Sequence, residues 1–95
     1  MLNGKQKRYL RSLAVNEKAL FQIGKDEPTE NTYRSISECL KARELVKISI
    51  LKTCELTMNE LVVDLCAHTG AELVQTIGKT VVLYKPSRER KIQLP

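Results

Sequence analysis

Two Gly-Lys pairs, Gly24-Lys25 and Gly78-Lys79, lie in a chain whose two ends are rich in cations. Lys5, Lys7, Arg8 and Arg11 stand near the start, and Tyr84-Lys85, Arg88, Arg90 and Lys91 near the end. The chemistry open to these residue types is the holding of anions. A glycine lets backbone N–H groups approach a phosphate, while Lys and Arg supply charge and, in Arg, a fork of donors. Tyr84 has a ring face on which an unpaired base can stack. Taken singly, each feature has a plainer explanation. Gly24 and Gly78 suit ordinary turns, Tyr84 suits core or rim packing, and basic ends suit solvated tails. The combination points to a polyanion.

Catalytic chemistry has little to work with. His68 is the only imidazole, near an expected helix C-terminus where it interacts favourably with the dipole. Glu60 and Asp64 are one helical turn apart, but Glu60 is explained by a capping box and exposed carboxylate pairs are usually solvated. No nucleophile elbow, P-loop or metal-ligand cluster is present, and Gly24-Lys25 is too short for a dinucleotide fingerprint. Cys39, Cys54 and Cys66 form an odd set without a C-x-x-C pair, which suits reduced thiols in a cytoplasmic protein. The expectation is a protein that is not an enzyme, with no catalytic residue, metal site, cofactor or small-molecule substrate.

These residues must be positioned by one small domain, 1–95, since the 95 residues suit a single core. A hydrophobic content of 42% supports that core, whereas 4% aromatics without Trp argue against an extensive base-stacking platform. No apolar run approaches the ~20 residues of a membrane span, and no secretory signal is visible at the start. The chain carries 16 Lys+Arg against 11 Asp+Glu, a net charge of +5. That total hides a segregation: residues 1–11 sum to +4, 12–78 to −3 and 79–95 to +4. If the fold brings the ends together, they make one positive field.

The first element reads as a helix over about residues 3–15, with Asn3 as its cap and Gln6 reaching back. At about 100° per residue, Tyr9, Leu10, Leu13 and Ala14 share one arc and the four bases occupy the other. A short strand at 20–23 ends at Gly24. Thr29 caps a second helix that runs to about Arg43, with Tyr33, Ile36 and Leu40 on one face. In the strand at 45–51, Val46, Ile48 and Ile50 alternate with Lys47 and Ser49. Thr57-x-x-Glu60 is a capping box with Leu56 and Leu61 as its staple, and Gly70 ends that helix. Strands at 71–77 and 80–85 flank the two-residue turn Gly78-Lys79, where a positive φ is expected at Gly78. Residues 86–95 read as a basic tail, extended or loop. The fold class is therefore α/β (α+β): a helix, then β-α-β-α-β-β. Two long crossovers favour parallel pairing and the terminal hairpin an antiparallel edge, giving a mixed four-stranded sheet packed with helices. Lys79 and Lys85 should lie at opposite ends of the last strand.

Five segments then carry a resemblance. Gly4-Lys5-Gln6-Lys7-Arg8-x-Leu10-Arg11, Phe21-Gln22-Ile23-Gly24-Lys25, Glu44-Leu45-Val46-Lys47-Ile48-Ser49-Ile50-Leu51, Thr69-Gly70-Ala71-Glu72-Leu73-Val74-Gln75-x-Ile77-Gly78-Lys79 and Val82-Leu83-Tyr84-Lys85-Pro86-Ser87 are similar to the bacterial YhbY-type CRM-domain proteins. The likeness runs in order over nearly the whole chain. It implies a stand-alone RNA-binding domain associated with precursors of the large ribosomal subunit. The implied fold is similar to the C-terminal domain of bacterial translation initiation factor three. Lys47, inside a matching segment, completes the RNA-binding candidates. Relatives usually carry a G-x-x-G loop after the first strand; here it reads Gly24-Lys25-Asp26-Glu27, with two acids and no second glycine. Lys85 stands where Arg is common, keeping the charge but not the fork.

The expected function is RNA binding in ribosome assembly, through phosphate and 2′-OH contacts to structured ribosomal RNA of the large subunit or its precursor. No membrane partner is expected. The alternative is a protein-interaction adaptor that docks on a ribosomal or other acidic protein without touching RNA. A DNA-binding reading lacks helix-turn-helix spacing or a dimer seam.

Overall fold

Among the described residues each helix begins at a reciprocal capping box, formed by Asn3 with Gln6, Thr29 with Thr32 and Thr57 with Glu60. The computed structural model, which describes residues 2–95, runs α1 (Gly4–Ala14), β1 (Phe21–Ile23), α2 (Glu30–Arg43), β2 (Leu45–Ile50), α3 (Met58–Thr69), β3 (Glu72–Ile77) and β4 (Thr80–Tyr84). The mixed α/β class and the helix-first β-α-β-α-β-β order are those expected from the sequence. Among the described residues no helix is long and apolar enough to cross a membrane.

The sheet order is β1-β2-β4-β3. Strand β1 pairs parallel to β2, with Phe21 opposite Ile48, and β4 pairs antiparallel to both β2 and β3. A register shift between Leu73 and Gln75 marks a bulge in β3. The terminal hairpin supplies the antiparallel edge expected from the sequence, with β3 outermost and β4 central. Burial explains the order. Val81, Val82, Leu83 and Tyr84 are all buried, so β4 needs cover on both faces and a partner on each side. Thr76 and Ile77 at the end of β3 are exposed, which an edge tolerates.

Alternation along the strands splits the core in two. Val46, Ile48, Ile50, Val81 and Leu83 face α2 and α3, packing on Ile36, Leu40, Leu61 and Leu65. Leu45, Val82 and Tyr84 project to the other face, where Leu10 and Ala14 of α1 cover them. An eleven-residue helix is marginal alone; full burial of Leu10 contributes about 2 kcal/mol towards holding it. Ile92 and Leu94 pack into this second cluster beside Leu2 and Leu13. The segment after β4 has the irregular backbone expected from the sequence and is docked against the body.

Candidate nucleic-acid interface

On α1 the bases lie where the helical arc puts them. Lys5 and Arg8 are exposed, Lys7 and Arg11 are half-buried, and Leu10 and Ala14 face the sheet. Tyr9, expected on the buried arc, is 38% exposed and stands at the boundary with the basic side. The C-terminal segment lies alongside: Gln6 Nε2 donates to the Pro95 carbonyl at 3.4 Å. Residues from both basic ends of the chain thus adjoin one another.

The segment is held by Glu44, which the sequence marks out only as part of a family-like segment. Glu44 follows α2 at φ +67°, a conformation that strains any non-glycine residue, and it is fully buried. Its carboxylate accepts the Ser87 N–H at 2.7 Å, the Ser87 hydroxyl at 2.5 Å, the Lys91 N–H at 3.0 Å and the Ile92 N–H at 2.6 Å. Its carbonyl accepts the Lys85 N–H at 2.9 Å. Burial alone would push this carboxyl up; the Ser87 hydroxyl and the N–H groups of Ser87, Ile92 and Lys91 outweigh it and bring the pKa down to about 2. The charge is retained because four donors replace its lost water. No local pattern announces such a residue.

Three candidate lysines close helix ends. Lys47 Nζ lies 3.4 Å from the Ala14 carbonyl and 3.5 Å from that of Glu17, at the end of α1. Lys91 Nζ donates to Ala42 near the end of α2 at 2.8 Å, and Lys85 Nζ to Thr69 at the end of α3 at 2.9 Å. Each cation meets the negative pole of a helix. An ammonium has three donors, so Lys85 and Lys91 keep donors for another partner and both remain exposed. Arg88 and Arg90 are exposed beside them.

Tyr84 is 4% exposed and packs in the cluster beneath α1. Burial, with the Glu44 charge adding to it, pushes its phenol up. Its ring is enclosed by core neighbours, so the base-stacking role suggested by the sequence gives way to packing.

The remaining candidates occupy the opposite end of the sheet. Gly24 is buried and its N–H donates to Glu27 Oε1 at 2.9 Å, so a carboxylate already takes the place of a phosphate there. A Cβ on Gly24 would meet Thr53 Oγ1 at 2.9 Å and Leu51 Cδ1 at 3.2 Å. This glycine permits the β1 and β2 loops to cross closely. Lys25 is exposed. Gly78 has φ +55° and open space around it, as the hairpin turn requires. Lys79 is exposed, while its carbonyl accepts the Ile50 N–H at 2.7 Å. The five residues of β4 separate Lys79 from Lys85, a span of about 20 Å. The candidates therefore form two groups. One comprises α1 with the C-terminal segment, the other Gly24-Lys25 with Gly78-Lys79. Lys41 and Arg43, exposed in the last turn of α2, join the first group and were missed because that helix carries no basic stripe.

Elsewhere the reactive residue types have structural partners. His68 stacks on Tyr33 with centroids 3.9 Å apart, and its Nδ1 lies 2.9 Å from the Asp64 carbonyl. Burial pushes the Cys39 and Cys66 thiols up, away from the thiolate that reacts. Among the described residues no group of three or more His, Cys, Asp or Glu could hold a metal.

The chain is similar to known proteins over most or all of its length. Residues 2–85 match the CRS1 / YhbY (CRM) domain. A Bacillus subtilis protein named probable RNA-binding protein YqeI is 49% identical over 96 residues, covering all of both chains. A Haemophilus influenzae protein named RNA-binding protein is 36% identical over 99% of this chain and 95% of its own. The solution structure of the Staphylococcus aureus protein SAV1595 superposes with a TM-score of 0.83 at 48% identity, with both chains fully covered.

Proposed function

We propose, from the premise that the chain belongs to the CRS1 / YhbY (CRM) domain family, that it is a cytoplasmic RNA-binding protein assisting ribosome assembly. Its ligand is structured ribosomal RNA of the large subunit or its precursor, and it performs no catalytic step. The observation that carries this reading is the adjoining of two basic chain ends, with Gln6 of α1 against Pro95 and the C-terminal segment bound to the buried Glu44. Such a surface binds a phosphate backbone by charge and shape. The relatives named as RNA-binding proteins support the same partner.

The test is titration of labelled large-subunit RNA fragments with wild type and three variants: Arg8→Ala with Arg11→Ala, Lys85→Ala, and Lys79→Ala. The first two should each lose about 1–2 kcal/mol if their contacts are partly desolvated charge-assisted bonds. The effect of Lys79→Ala reports whether the far end of the sheet takes part. A helix variant that binds like wild type while Lys85→Ala fails would remove α1 from the surface. Co-sedimentation with ribosomal particles that survives RNase would favour a protein-docking adaptor.

A further inference from the structure

Beside the cations of the first group lies an open-sided cavity that the fold does not use. Between the last turn of α2 and residues 85–89 lies a cavity of about 400 Å³, lined by Leu40, Lys41, Lys85, Pro86, Arg88 and others. We propose that this cavity holds one unpaired nucleotide of the bound RNA, its base against the exposed Pro86 and its phosphate between Lys41 and Arg88. The inference rests on the RNA-binding reading and adds a site at which single-stranded character is recognised.

Four observations support it. The volume lies within the roughly 300–1,000 Å³ of ligand pockets, whereas the cavity bordered by Lys47 and Ile77 is about 100 Å³. Three cations line the walls against the single acid Glu89, so the local charge favours a phosphodiester. The similarly large groove by Arg43 and Lys91 has two cations with Glu17. The Lys85 ammonium is held in place by Thr69, so less side-chain entropy remains to be lost on binding.

The wall itself is set before any ligand arrives. Lys85 N–H and both Ser87 donors bind Glu44, and Arg90 N–H closes a turn onto the Ser87 carbonyl at 3.2 Å. Preorganisation of this kind lowers the cost of binding. Pro86 supplies an apolar face in a protein with few aromatic rings. The same segment continues to Pro95, which meets Gln6. A strand lying on α1 can therefore follow it into the cavity.

The experiment compares two RNAs with the full chain: a hairpin with an unpaired uridine-rich loop and a fully paired duplex of equal length. Lys41→Ala with Arg88→Ala should weaken the hairpin about tenfold and the duplex at most about twofold. With 4-thiouridine in the loop, photo-crosslinks should map to residues 85–89. Both substituted side chains are exposed, and circular dichroism checks that the variant is folded. Equal losses for both RNAs, or crosslinks confined elsewhere, overturn the pocket while leaving RNA binding intact. Tight binding of free 5′-UMP at the same residues would overturn the assignment to an RNA strand. If wild type binds neither RNA, the RNA-binding reading falls first and the pocket with it.

Discussion

Glu44→Gln tests the buried clasp on which the C-terminal segment depends. The ordinary carboxyl value of 4.5 falls to about 2 in the folded protein. A difference of that size corresponds to about 3 kcal/mol of preference for the ionised form. The carboxylate has no exposure of its own but lies beneath only the thin segment 87–92, so solvent screening reduces the figure to about 2 kcal/mol. The folded pKa is depressed, so this stability is fully present above the unfolded value of 4.5. It is lost as pH falls through the folded value near 2. Glutamine keeps one acceptor but turns an NH2 towards N–H donors, leaving a backbone donor of the segment unpaired at about 1–3 kcal/mol. Urea unfolding of wild type and variant between pH 7 and pH 2 supplies the measurement. The variant should be about 3 kcal/mol less stable at pH 7, and the gap should narrow by about 2 kcal/mol below pH 4.5. All other carboxylates cancel in the difference. Trypsin should also cut the variant faster after Arg88 and Arg90. A gap that stays constant with pH would refute the account of Glu44 as an ionised clasp.

Other outcomes are expected. RNA affinity should fall steeply with salt, log K against log salt sloping about −0.7 to −0.9 for each of roughly 4–6 phosphate contacts; a flat plot would reject phosphate-dominated binding. His68→Ala should lose about 0.5–1.5 kcal/mol of stability with the Tyr33 stack and leave RNA affinity unchanged, as thermal melts and titration would show. Gly24→Ala should destabilise by about 1–3 kcal/mol through overpacking against Thr53 and Leu51. Adding Thr53→Ala should recover part of that loss; no recovery would mean that the close loop crossing is not the cause.

The local elements were legible because their causes are local. Asn3 with Gln6 and Thr57 with Glu60 cap their helices across three residues, and Gly78 takes the positive φ of its turn. Val46, Ile48 and Ile50 alternate onto the core as their period demands. The basic arc of α1 followed from the same arithmetic, and the family resemblance named the class of ligand. Tertiary structure decided what depends on distant parts of the chain. It placed β4 centrally, since only the stacked helices on both faces make its continuous buried run affordable. It sent Lys47, Lys85 and Lys91 to helix ends and buried Tyr84. It turned residues 86–95 from a tail into a wall through Glu44, whose partner Ile92 lies 48 residues away. A window of sequence sees an ordinary glutamate at a helix end. Only the folded chain brings four donors to it, and those donors are what make a buried charge stable there.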